Sequence, residues 1–376
     1  MGLFSGVVVL ILGITGCIYA FKEEIKPIVY HDHYFVKQIG NERLPLSKLM
    51  LVAQDTLGPS IHANEFEFKT DENAAVVITA YHENDISNPL WYSDTREYFY
   101  HVYLDPYTGE VLKVENGNVE FFQIVLWLHL SLLFDGAIGR PIVGVATIIF
   151  VFSLVTGIVL WWPKNKKARK QRLWFRWKPT TKWKRKNFDL HNIFGFYSMI
   201  FALLLALTGL VWAFKWYESG VKWLVNGGEH LQRTAYEPVS DQIKINSRYD
   251  VLETAYYETL YRCPNTKYIY IALPEDSSEV IKIYAYGETK SDMTSIRFNE
   301  STGECIESLG FDDLNTGEKF KYINYDIHVG SILGFPGKVL AFLVSLISAS
   351  LPITGFLVWW GRKNKGKKVL GENYIK

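Results

Sequence analysis

The sequence is poor in the residues from which soluble enzymes build catalytic and cofactor sites. Its 376 residues include only three cysteines, and these form no CxxC or Cys/His zinc spacing. No paired carboxylate, activated nucleophile, phosphate loop or dinucleotide fingerprint is apparent. Hydrolysis, ATP-driven transport and a built-in flavin or nicotinamide domain are therefore not favoured.

Charge is absent from the four longest apolar runs, in a chain that is 48% hydrophobic and has 12 Trp, 23 Tyr and 23 Phe. These runs are Leu3 to Phe21, Ile142 to Trp162, Ile193 to Phe214 and Val339 to Trp360. Each can cross about 30 Å of hydrocarbon as a helix, so we predict four transmembrane helices. Without Asp or Glu inside them, a proton relay has little support. The first run could be a secretory signal, but no basic segment precedes it and Lys22-Glu23-Glu24 follows it.

Basic residues are unevenly distributed, although the net charge is only +1. Twelve Lys or Arg and no acid lie between Pro163 and Lys186, and five more lie between Arg362 and Lys368. The positive-inside rule places both segments in the cytoplasm, and it places the polar segments 22–120 and 217–327 on the outer face. Because topology alone explains a basic loop between two spans, we predict no nucleic-acid binding.

Three pairs of matching stretches indicate an internal duplication. They begin at Thr15 and Thr208, at Thr156 and Thr354, and at Asp105 and Asn299, with offsets of 193, 198 and 194. In the first two pairs, the threonine is followed by glycine. Each polar segment also has a helical pattern, at 46–57 or 251–261, followed by two strand patterns, at 75–81 and 98–104 or at 268–273 and 280–286. We therefore predict two repeats, each with a small α+β module between two spans. Cys263 and Cys305 share the second module and could form a disulfide in an oxidising compartment.

The nine histidines divide into two groups. Six lie in the polar segments, where a solvated side chain is the favoured interpretation: His31, His33, His62, His82, His101 and His230. His31 and His33 alternate and could take a metal, but two ligands are weak support for a site.

The other three histidines adjoin the spans, where an ionisable group is costly unless it is paired, lines a cavity or binds metal. His129 and His328 precede the second and fourth spans on the outer side, and His191 begins the third on the cytoplasmic side. Histidines that face each other across a helical bundle are what bis-imidazole haem requires. Alternatively, these imidazoles could simply cap or bridge helices by hydrogen bonds.

The chain resembles the PepSY-associated transmembrane family of bacterial inner-membrane proteins, which includes iron-regulated proteins and ferric-siderophore reductases. The resemblance covers essentially the full length. It rests on the Thr-Gly of the first span, the Tyr103–Val111 hairpin, Leu128-His129-Leu130 followed by Gly139-Arg140, Asp189-Leu190-His191, and the spans that end in Trp-Trp.

The resemblance implies a multi-pass protein of the bacterial inner membrane, whose PepSY modules face the periplasm and whose fold is α-helical with two α+β modules. Such a protein would hold haem b through His129, His191 and His328, and would pass electrons to a ferric siderophore. The electron donor would be a membrane quinol or a separate reductase. The expected order is helix 1 (3–21), first module (22–120), outer His segment and helix 2 (121–162), basic loop (163–187), helix 3 (188–216), second module (217–327), helix 4 (328–361) and basic tail (362–376).

One histidine of the expected set is missing from the sequence. His191 precedes Thr208 by 17 residues, and counting back 17 residues from Thr15 runs off the start. We therefore expect a histidine just upstream of Met1, in a basic segment, and a second, inner haem in a protein extended there; the alternative is a chain that holds the outer haem alone. The main alternative to a ferric-siderophore reductase is a non-enzymatic membrane module whose PepSY-like domains bind a peptide, protease or transporter subunit.

Overall fold

The computed structural model describes residues 2–163, 165–166, 172–231, 248–274 and 280–372. The chain divides into two compact units. One unit, the helical unit, comprises Met1–Phe21, Val125–Glu218 and Ile327–Lys376. The other, the sheet unit, comprises Lys22–Ile124 and Ser219–Asp326.

The helices and strands alternate in blocks along the chain. The helices are α1 (Gly2–Ala20), α2 (Lys22–Val29), α3 (His31–Tyr34), α4 (Leu46–Leu57), α5 (Phe121–Ser131), α6 (Gly136–Trp161), α7 (Trp183–Ala213), α8 (Lys215–Val225), α9 (Arg248–Arg262), α10 (Thr316–Val329) and α11 (Gly334–Glu372). The strands are β1 (Glu65–Lys69), β2 (Val76–Glu83), β3 (Arg96–Leu104), β4 (Val111–Asn116), β5 (Tyr268–Ala272), β6 (Val280–Tyr286), β7 (Met293–Asn299) and β8 (Cys305–Gly310).

Four helices, α1, α6, α7 and α11, are long and apolar enough to cross a membrane, as the sequence predicts. The shorter apolar helix α5 precedes α6, and α10 likewise precedes α11. Helix α11 begins at Gly334, and His328 belongs to the separate helix α10 before it. This differs from the expected helix 4, which included residue 328, because Gly330 adopts a left-handed φ of 83° and ends α10.

Close packing within the helical unit depends on glycine. A Cβ added at Gly13 of α1 would lie 2.7 Å from both the Ser345 carbonyl oxygen and the Ala349 Cβ of α11. At Gly144 of α6, it would lie 2.4 Å from the Phe214 ring. Between helices in lipid, association relies on such close approach, because lipid tails are as apolar as the side chains.

A single antiparallel sheet of eight strands forms the centre of the sheet unit, in the order β4-β3-β2-β1-β5-β6-β7-β8. The two halves of the chain meet where β1 pairs with β5, with Phe66 opposite Ile271. One face of the sheet is apolar and packs against α4 and α9. Its fully buried side chains include Phe66, Ile78, Ile269, Ile283 and Phe298. The sequence predicts two small modules, whereas the structure joins them into one sheet with a common core.

The predicted turn at Asp105 and its repeat match at Asn299 have the same geometry. The Asp105 carboxylate accepts hydrogen bonds from the backbone N–H groups of Tyr107 (2.8 Å) and Thr108 (3.2 Å). The Asn299 side-chain oxygen does the same for Ser301 (2.8 Å) and Thr302 (2.9 Å). Each turn then needs a positive φ, which glycine supplies after the threonine. In the second half of the sheet, Cys263 and Cys305 are free thiols, and no disulfide joins them.

Candidate functional site

His129 and His328 come together within the helical unit. His129 lies in the last turn of α5 and His328 in the last turn of α10. Their ring centroids are 6.2 Å apart, with 67° between the ring planes. Both belong to the three histidines that the sequence places beside the spans.

The chain holds His129 in place by ending α5 sharply. The Ser131 hydroxyl donates to the Phe134 carbonyl oxygen at 2.6 Å, and Leu132 and Leu133 take left-handed φ angles of 56° and 67°. Asp135 then caps α6 by accepting from the Ala137 N–H at 2.9 Å. A left-handed leucine is strained, and such strain persists only where surrounding contacts enforce it. The reversal therefore fixes the position of the α5 end.

Each histidine of the pair contacts the threonine of a Thr-Gly motif. The His129 Nδ1 lies 2.9 Å from the Thr15 Oγ1 on α1, and the His328 Nδ1 lies 2.9 Å from the Thr208 Oγ1 on α7. The following glycines give the rings space. A Cβ at Gly16 would be 3.5 Å from the His129 Cε1, and one at Gly209 would be 3.2 Å from the His328 Cε1.

His328 also packs against an aromatic side chain of α7. The Trp212 ring packs edge-on against His328, with ring centroids 5.2 Å apart. Trp212 lies one helical turn after Thr208 on α7, so a single face of that helix contacts His328 through both residues.

His191 lies away from this pair, near the start of α7, but it has the same kind of partner. Its Nδ1 is 2.9 Å from the Thr354 Oγ1 on α11, and a Cβ at Gly355 would be 3.1 Å from its Cε1. The Asn187 side chain donates to the Thr354 carbonyl oxygen at 3.0 Å. One turn of α11 is therefore attached to α7 by two side chains.

The acid of the Asp-Leu-His motif anchors the basic segment. Asp189 is buried, and its Oδ2 accepts from the Arg185 Nε at 2.9 Å and from the Trp177 Nε1 at 3.2 Å. Its role is to hold the residues that precede the span, and the hydrogen-bond partner of His191 is Thr354.

A large apolar cavity of about 790 Å³ lies between α1, α6, α7 and α11, with His191 on its wall. This volume falls within the range of small-molecule and cofactor pockets. Trp161 also lines the cavity, and its indole N–H is buried with no acceptor among the residues described. Gly157, which follows Thr156, also lines the cavity, and a Cβ added there would meet nothing within 4 Å.

The remaining histidines are mostly solvated. Four are exposed, namely His31, His62, His82 and His230. His33 is half-buried and stacks on Tyr30 at a centroid distance of 5.6 Å. His101 departs from the prediction of a solvated ring, because its Nδ1 bonds to the Thr79 hydroxyl at 2.8 Å and its ring packs on Phe99. Across the described ranges, no group of three or more His, Cys, Asp or Glu side chains is arranged to hold a metal ion.

The spacing of the pair suits a shared haem iron. Two metal–nitrogen bonds of about 2.0 Å, and about 1.1 Å from each nitrogen to its ring centre, would put the ring centroids roughly 6.2 Å apart. The observed distance is 6.2 Å. An ordinary edge-to-face contact falls in the same range, so the spacing suits an iron without requiring one. Since Nδ1 of each ring bonds to threonine, Nε2 is the nitrogen available to a metal.

Sequence reasoning missed the threonines as functional residues. It used Thr15, Thr208 and Thr354 only as markers of a duplication, although each lies inside a span, where a hydroxyl needs a partner. That requirement was the signal in the sequence that could have identified them.

The chain was compared with protein-family models and with curated proteins. The family model of the PepSY-associated TM region matches residues 1–362. A search of curated proteins found no match.

Proposed function

Because this chain belongs to the PepSY-associated TM family, we propose the following function for it. The protein acts as a haem-containing electron-transfer protein of the bacterial inner membrane. It reduces iron(III) in a siderophore on the periplasmic side, and so acts as a ferric-siderophore reductase. His129 and His328 hold one b-type haem between them.

The approach of His129 and His328 is the observation that carries this proposal. Two imidazoles from different helices lie at a spacing suited to one iron, and each has its Nδ1 engaged by a threonine hydroxyl. A structural role as helix bridges would use the same Thr-His bonds. It would not require the two rings to meet each other.

The proposed chemistry is a one-electron reduction. A membrane quinol or a separate reductase supplies the electron, and iron(III) in the chelate becomes iron(II). Bound haem supplies the redox centre, while the protein supplies ligands and tunes the potential. Siderophore oxygen donors suit the harder ferric ion, so reduction weakens binding and releases the metal.

The orientation and the duplication belong to the same proposal. The basic residues from 164 to 186 and the tail from Arg362 favour the cytoplasm, which leaves the sheet unit in the periplasm. The two repeats are supported by the matching turns at Asp105 and Asn299, and by the equivalent Thr-His bonds of Thr15 and Thr208.

His191 is proposed as a ligand of a second, inner haem. It lies on the wall of the 790 Å³ cavity, with its Nδ1 engaged by Thr354.

The test is an optical spectrum of the purified full chain before and after reduction with dithionite. We expect a red protein with a low-spin haem b spectrum that arises from the outer site of His129 and His328. His129→Ala and His328→Ala should each lose the outer haem, whereas His62→Ala, at an exposed histidine, should keep it. Normal reduced spectra in both pair variants would contradict the assignment. A colourless protein would favour the non-enzymatic binding module.

Activity is measured separately, by following iron(II) release from a ferric hydroxamate chelate with a coloured iron(II) indicator. The reduced protein should be reoxidised by the chelate at the rate at which iron(II) appears. A haem-containing protein that stays reduced in the presence of ferric chelates would rule out the reductase function while leaving electron transfer intact.

A further inference from the structure

Three threonines in the membrane-spanning helices contact both a histidine and their own helix backbone. The Thr15 Oγ1 is 2.7 Å from the Ile11 carbonyl oxygen, and the Thr208 Oγ1 is 2.7 Å from the Leu204 carbonyl oxygen. The Thr354 Oγ1 is 2.9 Å from the Ser350 carbonyl oxygen. In each case a histidine Nδ1 lies 2.9 Å away on the other side of the hydroxyl.

Counting hydrogens assigns these contacts. A threonine hydroxyl has one hydrogen and two lone pairs, and a carbonyl oxygen can only accept. Two oxygens 2.7 to 2.9 Å apart repel each other unless a hydrogen lies between them, so the hydroxyl hydrogen points to the carbonyl. The hydroxyl oxygen can then only accept from the ring. Each histidine must therefore carry its hydrogen on Nδ1.

We infer that Thr15, Thr208 and Thr354 are positioning residues that fix the Nδ1–H tautomer of His129, His328 and His191, so that Nε2 presents its lone pair. The link to a metal rests on the proposed function, but the tautomer is a property of the chain itself. A hydrogen-bond partner on Nδ1, the ring nitrogen that does not bind the metal, fixes the orientation of the ring and raises the basicity of Nε2. Here that partner is a hydroxyl already polarised by donating to the helix.

The remaining Thr-Gly motif, Thr156-Gly157, provides an internal control. The Thr156 hydroxyl donates to the Phe152 carbonyl oxygen at 2.6 Å, like the others, but no histidine among the described residues bonds to it. Substituting Thr156 therefore removes the same backbone bond from a span and leaves the ring bonds of the other three threonines intact.

The first measurement is the ¹⁵N NMR spectrum of histidine-labelled, haem-free full-length protein at a pH where the rings are neutral. Loss of a signal in His129→Gln identifies His129. We expect His129 to be protonated on Nδ1, and Thr15→Val, which lacks the hydroxyl, to populate the Nε2–H form. Thr15→Ser should restore Nδ1–H, and Thr156→Val should leave His129 unchanged. His129 protonated on Nε2 in the unaltered protein, or a tautomer indifferent to Thr15→Val, would overturn the inference.

The second measurement uses the haem-loaded chain. Thr15→Val and Thr208→Val should weaken haem retention by about 10- to 100-fold. They should also raise the reduction potential, because a less basic ligand stabilises iron(III) less. Thr15→Ser should stay close to the unaltered protein. Unchanged retention and potential in both valine variants would overturn the positioning role. An unaltered protein without haem would instead refute the proposed function, and the NMR result alone would then decide the inference.

Discussion

Two glycine-to-alanine substitutions, at Gly209 and Gly157, test whether the space beside a Thr-Gly motif belongs to a histidine ring, and a third, at Gly13, tests a contact between helices. Gly209→Ala would place a Cβ 3.2 Å from the His328 Cε1, so the ring must move by a few tenths of an ångström. Gly157→Ala would meet nothing within 4 Å. Gly13→Ala would meet backbone and Cβ atoms of α11 at 2.7 Å, where the helices themselves must separate.

The expected magnitudes follow from two opposing effects. Alanine is about 1 kcal/mol better than glycine inside a helix, whereas overpacking costs about 1–3 kcal/mol. Gly157→Ala should therefore raise the free energy of unfolding by up to about 1 kcal/mol. Gly209→Ala should change it by between roughly 0 and −2 kcal/mol, and Gly13→Ala should be the most destabilising, because a helix yields less readily than a side chain.

The assay is unfolding of the detergent-solubilised protein with increasing SDS, followed by circular dichroism. Haem retention is measured in parallel, since Gly209→Ala alone should loosen the haem without loss of helix content. Equal changes of stability in Gly209→Ala and Gly157→Ala would refute the argument, because the ring contact at Gly209 would then have no energetic effect.

Two further predictions concern the orientation of the chain in the membrane and the histidine His101 of the sheet unit. In a background without native cysteines, Thr108→Cys should react with an impermeant thiol reagent in intact spheroplasts and Thr180→Cys should not; the reverse labelling pattern would invert the orientation. Burial, assisted by the positive charge of Lys26, lowers the pKa of His101 to about 4. His101 is therefore harder to protonate in the folded protein than in the unfolded chain. The free energy of unfolding should not change through this group above about pH 6.5, and it should fall by up to about 3 kcal/mol as the pH drops from about 6.5 to about 4. His101→Gln should flatten that part of the stability profile, and an unchanged slope would show that the ring protonates freely in the folded protein.

Sequence pattern alone identified the elements whose signals are local. The four spans follow from uncharged runs of the length that a bilayer needs, and helix α4 (Leu46–Leu57) was located by its periodicity. The hairpin turns at Asp105 and Asn299 were predictable as well, because a side-chain acceptor, a threonine and a glycine encode the turn within five residues.

Strands were predicted less completely, because their partners are distant in sequence. β2, β3, β5 and β6 were recognised, whereas β1, β4, β7 and β8 were not. β1 has only five residues, and it pairs with β5 about two hundred residues further along the chain. No local pattern states that pairing, so the single eight-stranded sheet emerged only in the tertiary structure.

The candidate site shows the same division. The sequence by itself singled out His129, His191 and His328, because an imidazole beside a span must be given a partner, and it marked four Thr-Gly pairs. Only the tertiary structure decided which histidine meets which threonine, and that His129 and His328 approach to 6.2 Å while His191 lines a separate cavity. The physical reason is that residue type sets the cost of burying each group locally, whereas its partner is chosen by the packing of helices that are far apart in the chain.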